Sequence, residues 1–297
     1  MAHVPVLLKE VLEMLDPHPG ERMVDATLGT AGHGLQIAKK LAPGGSFVGI
    51  DWDWQRLEGA KEIMEKEDID LKKLVLVEDN YAKLGEILKD ESLEKIDGLL
   101  LDLGFSSDQL GEGRGFAFKG KEEPLMMTYS QKLLPAYQVL PQLGEQKLIE
   151  IIRQFSDERY APRIAKAIIA RRREGPPIVT NKDLAEVIRR AVPKNYERGR
   201  IDPATRTFMA LRIYMNSELD NINNLLASLE NVMSSGGRVV IISYHSKEDA
   251  IIKDFFRELT LKGKAKLLNK KVVRASSEEV EINPRSRSAK LRAIQIQ

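Results

Sequence analysis

An α/β protein with a Rossmann-like, mostly parallel sheet and an inserted all-helical domain is the fold this sequence predicts, on three observations. The stretch VDATLGTAGHG at 24–34 leaves an apolar strand, passes through a glycine loop and resumes as the helical run LQIAKKL. Short apolar runs alternate with helical patterns as far as residue 102, the rhythm of parallel strands joined by crossover helices. From about 110 to 205 that rhythm stops, and helical periodicity continues without a strand. The expected organisation is a discontinuous core of 1–109 and 206–297 around an insertion of 110–205.

Each element follows in order. Leu7, Leu8, Val11, Leu12 and Leu15 form the apolar stripe of a first helix that Pro17 and Pro19 end. Gly29, Gly32 and Gly34 let the next loop take positive φ and approach a ligand closely. Their spacing, G-x-x-G-x-G, departs from the dinucleotide fingerprint G-x-G-x-x-G, so a bound pyrophosphate is not the natural reading. Asp25 ends the first strand and Asp51 the second, SFVGID at 46–51, where a carboxylate is placed to take both ribose hydroxyls. A helix over 54–66 and a strand over 74–77 lead to Asp79 and Tyr81, a residue able to stack on a base or to pack in the core. The strand at 96–101 delivers Asp102. Four acids at four strand ends would repel phosphate and welcome a cationic nucleoside, and S-adenosylmethionine is such a ligand. The insertion reads as helices over 137–143, 145–155, 161–173 and 181–191. The third ends in Arg171, Arg172 and Arg173, which complement the helix dipole as well as any polyanion. A long helix over 205–233 returns to a fifth strand ending SYHS at 243–246, followed by a helix over 248–259 and a basic tail.

Composition narrows the chemistry. Hydrophobic residues make up 42 % and charged residues 30 % of the 297, ordinary for a globular protein. Neither a membrane-length apolar run nor a signal-peptide pattern occurs, so a cytoplasmic protein is expected. The absence of cysteine excludes a thiolate nucleophile and a cysteine-ligated metal. His3, His18, His33 and His245 lack metal-ligand spacing, and no metal is expected. The overall charge of +2 hides two basic segments: 20 Lys and Arg against 12 acids over 110–212, and 10 against 3 over 262–292. Such segments fit an extended polyanionic partner, or solvated helix faces.

The residues also carry a resemblance. HVPVLLKEV at 3–11, DATLGTAGH at 25–33, DGLLLDLGFSSDQL at 97–110, RGFAF at 114–118, PATRTFMALRIYMNSEL at 203–219, GGRVVIISYHSKEDAIIK at 236–253 and NPRSRSAKLRAI at 283–294 resemble the bacterial 16S rRNA (cytosine-N4) methyltransferases of the MraW type over nearly the whole chain. The resemblance implies a class I S-adenosylmethionine-dependent methyltransferase fold and N4-methylation of a cytidine in the decoding centre, the P-site region, of 16S rRNA. It implies S-adenosylmethionine as cofactor and the small ribosomal subunit as partner, with the enzyme a monomer or homodimer. By position, cofactor contacts fall on Ala31, Gly32, His33, Asp51, Tyr81, Asp102 and Gln109, beside the Asp25 and Gly29 of the loop. Candidate RNA contacts are His3, Arg114, Phe116, Arg171, Arg172, Arg206, His245, Arg285 and Arg287. The sequence departs from the family at Ala31, where a second glycine is usual, and at PLMMTY (124–129), which replaces PLDMRMD without its acids and arginine.

The chemistry is then specific. A cytosine amine is a poor nucleophile because its lone pair is delocalised, so hydrogen-bond acceptors must help it. Asp102 is the first candidate, with Phe105 and Ser106 of the following turn completing the catalytic group; its competing role is to bind the cofactor's own amine. A base drawn out of folded RNA needs a stacking partner, for which Phe105, Phe116 and Phe118 are candidates, core packing being the alternative for each. Methylation at C5 generally needs a thiolate, which this chain lacks. Another nucleic-acid amine methyltransferase, DNA included, and a cofactor-binding assembly factor remain open, while the loop spacing argues against a nicotinamide dehydrogenase.

Overall fold

In a computed structural model that describes residues 5–103 and 113–297, strand and helix alternate as the apolar pattern requires. Helix α1 (Leu8–Leu15) precedes β1 (Arg22–Asp25), α2 (Gly32–Leu41), β2 (Ser46–Asp51), α3 (Trp54–Glu65), β3 (Lys73–Glu78), α4 (Leu84–Asp90) and β4 (Ile96–Asp102). His3, Phe105, Ser106 and Gln109 lie outside the described residues. The chain divides into two compact units, Met1–Gly104 with Leu219–Gln297, and Phe105–Glu218.

The first unit contains one sheet in the order β3-β2-β1-β4-β5-β7-β6, with β5 at Met233–Ser243, β6 at Ala265–Leu267 and β7 at Lys290–Ile296. Strands β1 to β5 pair in parallel, and β7 runs antiparallel to both neighbours. This is the mostly parallel sheet of a class I fold. The alternation of side chains along a strand splits its apolar residues between two layers. Val24, Val48, Leu99, Leu101, Val239 and Ile241 face one layer with α4, α9 (Glu218–Val232) and α10 (Ser246–Leu261). Met23, Phe47, Leu100, Val240 and Ile242 face the other with α1, α2 and α3. Burial on both faces explains why the strands read as continuous apolar runs.

The C-terminal tail, expected only as a basic segment, instead holds β6, α11 (Ser277–Ile282) and β7. Its strands escaped notice because β6 is three residues long and β7 interleaves Lys290, Arg292 and Gln295 with its apolar positions.

The second unit is built on helices α5 (Glu145–Ser156), α6 (Ala161–Glu174), α7 (Asn181–Ala191) and α8 (Ala204–Met215), close to the expected spans. A capping box starts α7, the Thr180 side chain accepting from the Asp183 N–H while the Asp183 side chain accepts from the Thr180 N–H. The expected helix over 205–233 is two helices, α8 and α9. Ser217 between them takes φ +50°, and the Asn216 side chain holds the chain there, its Nδ2 donating to Met127 O at 2.9 Å and its Oδ1 accepting from Tyr129 N at 2.8 Å. Phe208, Ala210 and Leu211 of α8 share a core with Leu148 and Ile152 of α5. The unit therefore spans Phe105–Glu218, against the expected 110–205, because α8 buries its apolar face within the helical unit. The divergent PLMMTY segment belongs to the same core, with Leu125 and Met127 fully buried. Among the described residues no helix is long and apolar enough to cross a membrane.

Gly49 in the middle of β2 tests the packing of the sheet. A Cβ there would lie 2.6 Å from Leu28 Cδ2 and 2.9 Å from Leu76 Cδ2. Overpacking of this kind costs about 1–3 kcal/mol, so Gly49→Ala is expected to unfold at lower temperature, measured by calorimetry.

Candidate active site

The carboxyl ends of β2, β1 and β4 set three carboxylates side by side. Register places Asp25 opposite Gly49 of β2 and Leu100 of β4, so Asp51 and Asp102 each stand two residues further along their strands. The chain leaving β1 turns in the gap between them and ties each one by its backbone or by Thr27. Thr27 N donates to Asp25 Oδ1 at 3.1 Å, and Asp102 N donates to Thr27 Oγ1 at 2.7 Å. Gly29 N donates to Asp51 Oδ2 at 2.8 Å, while Asp53 N donates to Asp51 Oδ1 at 2.9 Å.

Loop geometry accounts for the residue types. Gly29 takes φ +55° and Ala31 φ +62°, so Ala31 occupies a left-handed position that costs a residue with a Cβ about 1–2 kcal/mol. A glycine at 31 would avoid that cost. Gly32 opens α2, and a Cβ on it would lie 2.8 Å from Pro5 Cγ; one on Gly34 would lie 2.5 Å from Leu28 Cδ1. Glycines here thus allow close packing under the loop as well as its bend.

The electrostatics are unusual for carboxylates. Asp25 is 1 % exposed; burial pushes its carboxyl up to about 7, against the Thr27 N–H and reinforced by the charges of Asp102 and Asp51. Burial raises Asp51 as well, opposed by its two backbone donors and by Arg56. Asp102 Oδ1 accepts from the Tyr244 hydroxyl at 2.8 Å. Burial, and then the Asp102 charge, push the Tyr244 hydroxyl well above the ordinary phenol range, which keeps it a donor. His33, 7 % exposed, has Nε2 2.9 Å from Val6 O. A carbonyl only accepts, so that nitrogen carries the proton; Nδ1 lies 3.8 Å from Asp102 Oδ2. A cationic nucleoside fits this rim: positive charge relieves three crowded acids, and Asp51 is already oriented with lone pairs to spare.

Two further expectations for the rim resolve differently. Tyr81 begins a helical turn just past β3 and is partly buried against the sheet layer of Val24 and Val48. Asp79 is paired with Lys83 at 3.0 Å, so the expected row of four acids is a row of three. Sequence reasoning passed over Tyr244 and Thr27. Tyr244 follows β5 as Asp102 ends β4, so applying the strand-end rule to every polar residue would have found it.

Several candidate RNA contacts have partners within the fold. Arg114, 8 % exposed, donates from Nη1 to Tyr129 O at 2.8 Å. Phe116, 6 % exposed, is stacked on Tyr129 with ring centroids 5.5 Å apart. Both are committed to the helical unit's own core. Arg171 Nε donates to Pro176 O at 2.8 Å, and Arg172 Nη1 to Leu143 O at 2.9 Å. Arg206 Nη1 donates to Glu197 Oε1 at 2.9 Å. These three tie helices to the loops and turns beside them. His245 caps α10, with Nδ1 accepting from Glu248 N at 3.4 Å, and Nε2 lies 3.1 Å from Glu248 Oε1 without hydrogen-bond alignment. Arg285 and Arg287 sit on the turn Pro284–Ser288, where Arg287 is exposed.

Comparison with known proteins adds the following. Residues 1–297 match the MraW methylase family. The ribosomal RNA small subunit methyltransferase H of Koribacter versatilis is 44 % identical, over 98 % of this chain and 93 % of its own length. That of Thermotoga neapolitana is 42 % identical, over 99 % and 96 %. A solved structure described as a putative rRNA-methylase from Clostridium thermocellum covers all of both chains at TM-score 0.49 and 10 % identity.

Asp25 gives the site a pH signature. Its folded carboxyl holds a proton that the unfolded chain has released between about pH 4 and 7, so stability falls as pH rises through that window. The penalty, fully present above pH 7, is on the order of 4 kcal/mol. Asp25→Asn is expected to melt at higher temperature than the native chain at pH 8 and to lose that advantage at pH 4, measured by calorimetry across the range.

Proposed function

The chain belongs to the MraW methylase family, and on that premise we propose that it is an S-adenosylmethionine-dependent rRNA (cytosine-N4) methyltransferase. Its substrate on this reading is a cytidine in the decoding centre of 16S rRNA, in the small ribosomal subunit. The observation that carries the chemistry is Asp102, held at the end of β4 by Tyr244 and Thr27 beside two further buried or half-buried carboxylates. The relatives' names supply the RNA. S-adenosylmethionine, when bound, supplies a methyl group on positively charged sulfur.

The residues divide the work. Asp51, its oxygens turned by Gly29 and Asp53, offers its remaining lone pairs to the ribose hydroxyls. Tyr81 offers an aromatic face to adenine. The carboxylates of Asp51 and Asp102, with Asp25 adding charge as it ionises near neutral pH, would favour a positively charged sulfur over a neutral one. Asp102 would accept a hydrogen bond from the cytosine amine, draw the nitrogen lone pair out of conjugation, and take the proton lost as the N–C bond forms and the methyl–sulfur bond breaks, its electron pair staying on sulfur. Tyr244 keeps that carboxylate in place, and positioning at near-attack distance supplies much of the barrier reduction. The helical unit, with its excess of Lys and Arg, is the RNA-recognition domain on this reading.

Incubation with labelled S-adenosylmethionine and undermethylated small subunits, followed by nucleoside mass spectrometry, is expected to yield N4-methylcytidine; a methylated ribose or guanine would overturn the assignment. In the same assay Asp102→Asn is expected to lower kcat by about 10²-fold or more. Tyr244→Phe, which removes one charge-assisted hydrogen bond worth about 1.5–3 kcal/mol, is expected to lower kcat roughly tenfold or more while cofactor affinity stays near that of the native protein.

A further inference from the structure

The basic tail separates into neutralised and unneutralised cations. Lys262 pairs with Glu258, Lys264 with Glu230, and Lys290 and Arg292 both pair with Asp249. Lys270, Lys271, Arg274 and Arg287 are exposed and have no ion-pair partner among the described residues. Their position follows from the register of the sheet. Asp102 of β4 is opposite Ile242 of β5, Ile242 is opposite Leu291 of β7, and Leu291 bridges Val273. One row therefore runs from Asp102 to the residue before Arg274, over three inter-strand spacings, about 14 Å. Arg274 thus lies at the same carboxyl rim as the methyl-transfer site, with Lys270 and Lys271 four and three residues before it on the same edge.

The edge is built to hold its shape. Asn269 Nδ2 donates to Leu291 O at 3.1 Å and to Lys271 O at 2.8 Å, and its Oδ1 accepts from Ala293 N at 2.7 Å. That lock leaves Lys270 and Lys271 on the outer side of the sheet. Ser286, fully buried, donates to Asn283 O at 2.8 Å and anchors the turn that carries Arg287. Glu278 and Glu281 of α11 are the exposed acids of this stretch, while Glu279 is engaged by Leu7 N at 2.8 Å. The net charge over 262–292 is +7.

We propose that Lys270, Lys271 and Arg274, with Arg287 beside them, form an RNA-backbone contact on the strand edge that grips phosphates of nucleotides flanking the target. Exposed cations on an anchored stretch of backbone, with no ion-pair partner among the described residues, suit a polyanion tracked along its backbone. The inference rests on the rRNA methyltransferase reading.

The test compares the native protein, K270Q/K271Q/R274Q, and a control, K262Q/K264Q, which removes the same kind of charge from residues already paired. Small-subunit binding is measured against salt, with cofactor binding and kcat at saturating subunits alongside. The triple variant is expected to lower the salt slope by about 2, some 0.7 for each phosphate no longer neutralised, and to weaken subunit binding about tenfold at physiological salt. Its cofactor affinity, saturating kcat and melting temperature are expected to stay near native values, and the control to keep the native slope. A native slope in the triple variant, with methylation intact, overturns this surface and leaves the methyltransferase reading standing. Equal losses in the control overturn it too, since net charge alone would then explain them. A native protein that neither binds nor methylates small-subunit RNA overturns the reading itself and the partner named here.

Discussion

Three carboxylates crowded at the ends of adjacent parallel strands are the constraint on which the rest of the first unit depends. Asp25 is sealed from water between two like charges, an arrangement that costs stability unless something compensates. Backbone donors of the turn 26–31 and of Asp53 supply part of the compensation, and they act only because the glycine loop brings the backbone close. Protonation of Asp25 supplies another part. A cation above the rim would supply the remainder, so ligand binding and folding stability are coupled through the same carboxyls. The left-handed Ala31 and the glycines that a Cβ would push against Pro5 and Leu28 are the local cost of that geometry.

The helical unit shows why counting charges along a sequence overstates what a partner can touch. Arg114, Arg171, Arg172 and Arg206 all donate to carbonyls or carboxylates inside that unit. Guanidinium groups suit this work because they offer several donors in a fixed plane, and loop carbonyls between helices need donors. The same filter applied to the C-terminal tail leaves a small set of cations without such duties, Lys270, Lys271, Arg274 and Arg287 among them. Unsatisfied charge that the fold keeps exposed is a better sign of a polyanion site than charge density.

Much of this was legible from residue order alone. The strand–glycine loop–helix of 24–41, the alternation as far as Asp102 and the helical spans of 145–191 all appear where periodicity and caps place them, because each is decided by neighbours within a few residues. Elements decided by distant partners were not legible. The break at Ser217 depends on Asn216 reaching Met127 and Tyr129. Strand β7 exists because β5 offers it a ladder, and the edge strand β6 because β7 does. Tyr244 joins the site only because β5 lies beside β4.

By itself the sequence determined the class of fold, the glycine loop, the strand-end acids Asp25, Asp51 and Asp102 and, through its motifs, the family, while it also placed in that row an Asp79 that the structure pairs with Lys83. Local steric preference and apolar periodicity act over short stretches, so they survive without coordinates. Only the tertiary structure decided which charged and aromatic groups remain available. Burial takes Phe116 and Arg114 out of reach, register brings Tyr244 onto Asp102, and ion pairing silences some cations of the tail while leaving Lys270, Lys271 and Arg274 exposed. Desolvation and pairing are properties of a three-dimensional neighbourhood, and residues far apart in the chain create it.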